Sequence, residues 1–230
     1  MKEPKSYDWD NYLDFLREVP VPADALSFFL ARPSARPYNP PTYHPIPWLS
    51  RHDKGDNTTD TLFSQALNSP NTIPRVLALL RADLLEPSTP VPGGTTTSPE
   101  EDAGTDDTPH QVLFVQLGTG LNGFTDTVHG GVLAALVDEA LSTCVEAVRQ
   151  RDAGESKAKL FTANLNVSYR APVYSPAVIL VKTWLRRREG RKWLLEAQVV
   201  TEEGKTLIDR GLCTYCTYYD CIMGFTLDAP

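Results

Sequence analysis

HGGVLAALVDEALSTCVEAVRQ, residues 129–150, carries the spacing of one long amphipathic helix. Advancing about 100° per residue, Leu133, Val137, Ala140, Leu141, Cys144, Val145 and Val148 fall on one continuous arc, the expected core face. Glu139, Ser142, Thr143, Glu146 and Gln150 fall on the opposite side, and Asp138 lies at the boundary, nearly in line with Gly131. The two neighbouring acids are therefore expected to differ. Glu139 belongs to a solvated or subunit-facing stripe, and Asp138 is half-buried two turns from the helix start. Gly130 and Gly131 open the helix where no Cβ stands in the way of a close approach. The first-turn amides there are expected to be unsatisfied, a ready site for developing negative charge.

One apolar helix needs a sheet to cover it, and the flanking sequence supplies strands. Residues 111–117 are rich in β-formers. Residues 160–170 alternate, with Phe161, Ala163, Leu165, Val167 and Tyr169 on one face and Thr162, Asn164, Asn166, Ser168 and Arg170 on the other. Two further strands, 177–187 and 191–201, meet at Glu189-Gly190, and a fourth, 205–216, follows a turn at Glu203-Gly204. The expected order is a strand, a long helix and a four-strand antiparallel meander: an α+β unit in which a curved antiparallel sheet wraps one central helix.

Upstream the character changes. Nine of the nineteen prolines fall within the first 47 residues, and 33–47 (PSARPYNPPTYHPIP) admits neither a helix nor a central strand. An N-terminal extension over 1–58 is expected, with short helices at 7–16 and 24–30, an extended Pro-rich arm, and Trp9 and Trp48 as anchors. The main unit runs over 59–217. Within it, 59–67 reads as a helix and 73–85 as either a helix or a buried strand. Residues 88–109 hold five acids, no base and almost nothing apolar, the composition of a disordered acidic insertion. A tail over 218–230 closes the sequence.

The net charge of −7 is concentrated in that insertion, and the rest of the chain sums to −2. A nonspecific nucleic-acid binder is not indicated, and any anionic ligand must meet a local basic cluster. Such a cluster exists in Arg186, Arg187, Arg188, Arg191 and Lys192, which would otherwise be a solvated hairpin end. No apolar stretch approaches the ~20 residues of a membrane span. Four cysteines without a signal-peptide pattern, and an N-terminus bearing acids rather than arginines, lead to a cytoplasmic expectation. Cys213 and Cys216, three apart on a strand, point to opposite faces and lack a second pair, so they are read as structural and no metal site is expected.

His129-Gly130-Gly131 with an acid at Asp138, the run from Thr162 to Pro172 (TANLNVSYRAP), and Glu189-Gly190-Arg191-Lys192-Trp193 together resemble the hotdog-fold acyl-CoA thioesterases, in particular the animal long-chain enzymes and their fungal relatives. The resemblance covers 111–216, about half the chain. It implies a hotdog fold, a homodimer or dimer of dimers with joined sheets, acyl-CoA as substrate and no cofactor beyond the coenzyme A it carries. By the same resemblance the catalytic residues are Asp138 as general base or nucleophile, Gly131 as oxyanion amide, His129 beside the acyl carbonyl, and Thr162, directed by the partner subunit at the attacking water. Asn122, Gly130, Ser168, Arg170, Arg191, Lys192 and Trp193 match substrate- and coenzyme-A-binding positions. The family often has Gly where this chain has Asp126, a residue able to take a positive φ at modest cost.

Two other classes remain. A noncatalytic acyl-CoA or lipid-binding hotdog protein would need neither Asp138 nor Thr162. A hydratase would need an Asp and His pair at a different spacing, and no histidine follows His129.

Overall fold

The computed structural model describes residues 7–55, 58–86, 108–153 and 159–217. The expected acidic insertion, apart from Thr108 and Pro109, and the expected tail lie outside the described residues.

The N-terminal segment forms two helices, α1 (Tyr12–Glu18) and α2 (Ala23–Leu30), and the strand β1 (Tyr43–Ile46). There follow β2 (Val76–Arg81), β3 (Gln111–Leu117), a small hairpin of β4 (Asn122–Phe124) and β5 (Thr127–Val128), the helix α3 (Gly130–Ala153), and then β6 (Leu160–Tyr169), β7 (Ala177–Glu189), β8 (Lys192–Thr201) and β9 (Thr206–Thr217). Seven strands make one antiparallel sheet in the order β1-β2-β3-β7-β8-β9-β6. It wraps α3, as the hotdog arrangement requires.

The expected core arc of α3 is met residue for residue: Leu133, Val137, Ala140, Leu141, Cys144, Val145 and Val148 are all buried. Strand β9 comes close enough that a Cβ on Gly211 would stand 2.9 Å from Val137 Cγ1, so a side chain here would have to displace Val137.

Three expectations change. First, the four strands after α3 are not one meander: only β7, β8 and β9 follow that path, and β6 crosses to the far edge beside β9. β3 takes the place next to β7, pairing from Gln111↔Thr183 to Leu117↔Ala177. Second, the Pro-rich arm is not merely extended. Pro33–Tyr38 winds into a 3-10 helix with proline at its start, where the missing N–H costs nothing, and β1 becomes the edge strand beside β2. Third, 59–67 gives only a single π turn at Leu62–Ala66, while the ambiguous 73–85 resolves into the buried strand β2 and a 3-10 turn at Ala82–Leu84.

The N-terminal segment covers two surfaces. α2 and the 3-10 helix lay Phe29 and Ala35 on the sheet face remote from α3, against Leu77, Leu79, Val112 and Phe114. α1 instead buries Tyr12 and Phe15 against the side of α3 expected to be solvated or subunit-facing. There Thr143, Glu146 and Arg149 are buried. Gln150 ties the layers together, its Nε2 donating to Trp9 O (2.6 Å) and its Oε1 accepting from Leu13 N (3.2 Å).

Candidate active site

Asp138 sits at the boundary of the core arc, half-buried, where α3 faces β6 and β9. Its Oδ1 accepts from Thr162 Oγ1 at 2.9 Å and from Tyr215 OH at 2.9 Å, and Cys213 Sγ lies 3.9 Å away. Tyr215 OH also contacts Asp138 O at 2.7 Å and Ser142 Oγ at 2.9 Å. A helix-borne carboxylate with hydroxyl donors gathered on one oxygen is suited to accepting a proton or attacking an electrophilic carbon.

Thr162 reaches this position because of a bulge. Thr162 pairs with Tyr215 and Asn164 with Thr214, so Ala163 is an extra residue that breaks the expected alternation. Leu160 and Thr162 before the bulge then share a side with Leu165 and Val167 after it, and the three apolar ones pack on the core. The hydroxyl that the resemblance assigned to a partner subunit is thus bonded to Asp138 of its own chain.

The helix start also differs from expectation. Gly131 N donates to His129 Nδ1 at 2.9 Å, so the amide expected to be unsatisfied is capped by the exposed imidazole just before it. A Cβ on Gly123 would come within 2.9 Å of His129 Cδ2, which explains the glycine at that point in β4. Gly130 O accepts from Tyr169 OH at 2.7 Å. Asn122 Oδ1 accepts from Ser175 Oγ at 2.5 Å, and Asp126 adopts φ 53°, as its place in the turn before His129 demands.

Glu139 does not point into solvent. Its Oε1 accepts from Ser50 Oγ of the N-terminal segment, and it lines a cavity of about 440 Å³ with Trp9, Glu146, Lys159, Phe161 and Tyr215. Burial pushes its carboxyl up to about 7, opposed by the Ser50 hydrogen bond and reinforced by Asp60 and Asp138.

The basic hairpin is partly self-neutralised. Arg186 Nε meets Glu196 Oε2 at 2.7 Å, Arg187 Nη2 meets Glu189 Oε1 at 2.8 Å, and the Arg188 guanidinium stacks 4.4 Å over the Trp193 ring. Trp193 itself is 3% exposed and belongs to the core, which corrects its expected place among ligand-contacting residues. Arg191 and Lys192 are exposed at the tip. Ser168, half-buried, pairs in register with Arg210, and exposed Arg170 Nη2 meets Asp209 Oδ2 at 3.0 Å. Those two residues lie at the opposite end of β6 and β9 from the hairpin tip, roughly 20 Å away at ~3.3 Å per residue. Within one protomer the two sets cannot close on a single diphosphate.

Sequence reasoning missed Tyr215. It stands between Cys213 and Cys216, two buried thiols that form no disulfide among the described residues. The available signal was alternation, since Tyr215 shares the face of Cys213. Among the described residues no group of three or more His, Cys, Asp or Glu is placed to hold a metal.

Residues 125–208 match the family described as the thioesterase superfamily. Acyl-coenzyme A thioesterase THEM4 of Mus musculus is 32% identical over 96 residues, 42% of this chain and 38% of its own length. The uncharacterized mitochondrial membrane protein FMP10 of Saccharomyces cerevisiae is 27% identical over 104 residues, 45% of this chain and 41% of its own. The chain therefore spans about two fifths of the curated relatives it matches. A crystal structure of the BH2602 protein from Bacillus halodurans with CoA shares 24% identity at TM-score 0.40, covering 46% of this chain and 66% of that one. The resemblance read from the three motifs thus holds for the segment around α3. The cytoplasmic expectation does not stand, because the yeast relative is named as a mitochondrial membrane protein. The acids at the N-terminus bear only on a basic, cleavable presequence, and excluding that single route was too narrow a ground for a compartment. Among the described residues no helix is long and apolar enough to cross a membrane.

Proposed function

We propose that this chain hydrolyses an acyl-CoA thioester to a carboxylic acid and coenzyme A. The observation that carries the reading is the Asp138 carboxylate, oriented by Thr162 and Tyr215 on the central helix of a segment that matches the thioesterase superfamily. A noncatalytic binder has no need of hydroxyl donors aligned on a helix-borne carboxylate.

Two routes use the same atoms. As general base, Asp138 takes a proton from water while the water oxygen bonds to the thioester carbonyl carbon; the carbon–sulfur bond then breaks and the thiolate leaves with that proton. As nucleophile, Asp138 bonds to the carbonyl carbon and expels the thiolate, and water cleaves the resulting anhydride, returning the carboxylate. For the Gly131 amide to receive the carbonyl oxygen, that oxygen must replace His129 Nδ1 as its acceptor, which leaves His129 and Gly130 beside the acyl group. Arg191 and Lys192 are assigned to the coenzyme's phosphates, with Trp193 and Arg188 supporting the tip from below. Arg170 and Ser168 serve the same ligand only from a second protomer. Coenzyme A enters as part of the substrate, and the reading calls for no resident cofactor.

A homodimer is part of the proposal. β6 ends the sheet, and Phe161 (41% exposed), Tyr169 (48%) and the neighbouring Leu212 on β9 (43%) leave an apolar border along it. A second copy joining its sheet there would cover both the strand edge and these side chains.

Purified protein offered a panel of acyl-CoAs should release free thiol at a rate proportional to enzyme. Saturable acyl-CoA binding without thiol release would establish the noncatalytic reading in its place.

A further inference from the structure

The Tyr215 hydroxyl makes three contacts at Asp138 and Ser142, and they have a direction. Its single hydroxyl proton faces Asp138 O (2.7 Å) and Asp138 Oδ1 (2.9 Å). Its oxygen is left to accept from Ser142 Oγ at 2.9 Å, one turn further along α3. The chain Ser142 to Tyr215 to Asp138 therefore ends on Asp138, its last proton shared between the backbone carbonyl and Oδ1, the same oxygen that takes the Thr162 proton. Among the described residues no donor reaches Oδ2.

The two donors differ in how firmly they are held. Thr162 is exposed on a bulged edge strand, and its position depends on Ala163. Tyr215 is 2% exposed, lies on β9 between β8 and β6 opposite Trp193 and Thr162, and is packed in the core. Its phenol titrates well above the ordinary range, through burial and the neighbouring Cys213 and Asp138, so it remains a donor wherever the protein is folded.

We propose that Tyr215 is a positioning residue that pins Asp138 through Oδ1, so that Oδ2 is the oxygen that reacts. An oxygen that accepts the Thr162 proton and shares the Tyr215 proton has reduced lone-pair capacity and basicity left; its partner on the same carboxylate keeps both. Pinning through the side-chain oxygen and the backbone carbonyl of one residue also fixes the rotamer, which presents Oδ2 on a constant line. The inference rests on Asp138 acting as base or nucleophile, and it adds which oxygen acts and what holds it.

The test is a cycle of variants assayed on the best acyl-CoA of the panel. Tyr215→Phe keeps the ring and removes only the hydroxyl, and should lower kcat about tenfold, the worth of one hydrogen bond to a charged acceptor. KM should stay within about twofold, because the bond acts on Asp138 and not on substrate. In an Asp138→Asn background the Tyr215→Phe change should cost nothing further, whereas damage to the fold would multiply with the first loss. Ser142→Ala, remote from substrate in this scheme, should give a smaller kcat loss of about two- to threefold with KM unchanged, a measurement that stands even if Tyr215→Phe folds poorly. An unchanged kcat in Tyr215→Phe, a rise in KM alone, or losses that multiply in the double variant would each overturn the positioning role while leaving Asp138 in place. Full activity in Asp138→Asn would overturn the catalytic reading itself.

Discussion

Asp138 and Glu139 are adjacent on one helix and carry the same functional group, yet their surroundings share almost nothing. Asp138 faces β6 and β9 and is met by hydroxyls from Thr162 and Tyr215. Glu139 faces the N-terminal segment, bonded to Ser50 and close to the buried Lys54–Asp60 ion pair, with its carboxyl held near neutrality by burial. A helix turns about 100° per residue, so one step in sequence is enough to move a carboxylate from the border facing β6 and β9 into the seam with the N-terminal segment. The surroundings of an acid here depend on the face it occupies.

The largest expected effect tests that contrast directly. Asp138→Asn should lower turnover at least ~100-fold with the fold and substrate binding retained, as befits an isostere replacing a base or nucleophile. Glu139→Gln should cost less than about fivefold, since its carboxyl touches no group in the proposed reaction. Steady-state kinetics on both variants checks this, and equal losses would erase the distinction between the two faces.

Next in size is the seam itself. Gln150→Leu keeps the volume but leaves Trp9 O and Leu13 N without their partner, so α1 should loosen from α3. A loss of about 1–3 kcal/mol in urea unfolding is expected, with turnover per folded molecule unchanged. A kcat loss matching that of Asp138→Asn would place the N-terminal segment inside the catalytic apparatus.

A smaller effect follows from protonation. Glu139 holds its proton in the folded protein up to about pH 7, while in the unfolded chain it loses it near 4.5. Between those values the folded state binds more protons, so this group's contribution is fully present below 4.5 and is lost as pH rises through 7. Burial lowers His110 to about 4, which produces the opposite slope between about 4 and 6.5, stability falling as pH falls. The wild-type curve is therefore a composite, and the informative quantity is its difference from Glu139→Gln. That difference in unfolding free energy should change between pH 4.5 and 7 and be flat below 4.5; a difference that does not vary with pH would mean Glu139 titrates as it would in solvent.

How much of this could be read from the chain depends on the distance over which the information acts. The arc of α3 was legible because helical phase is local, and all seven expected core residues are buried. The border position of Asp138 came from the same phase. The destination of β6 was not, because a strand's partner is chosen by the whole sheet, and alternation describes pairing beside β9 and beside β7 equally well. Thr162 was named from the resemblance, but the bulge at Ala163 that aims it leaves no mark in an alternating pattern. Glu139 was misplaced because what covers it, Ser50, lies 89 positions upstream. Trp193 was assigned from the resemblance, whereas strand alternation turns it inward under Arg188.

The smallest expected effect asks how far the reactive side of the molecule extends. Trp193, Tyr215 and Thr162 stand opposite one another on β8, β9 and β6, so the β7–β8 tip continues the row that holds Asp138. Arg186 and Arg187 are matched by Glu196 and Glu189, and Arg188 lies over Trp193; Arg191 and Lys192, exposed at the turn itself, are the residues to test. Replacing both with Gln should raise KM for acyl-CoA about three- to tenfold and leave kcat within about twofold, because phosphates far from the breaking bond contribute binding that is equal in ground and transition states. Added salt should raise the wild-type KM in the same direction and affect the double variant less, since screening acts on charges that remain. The companion substitution of Arg170 to Gln, at the other end of the strands and already paired with Asp209, should leave KM unchanged in any protein kept monomeric. A KM indifferent to both salt and the double variant would reduce the hairpin to a solvated turn and confine the reactive side to the neighbourhood of Asp138.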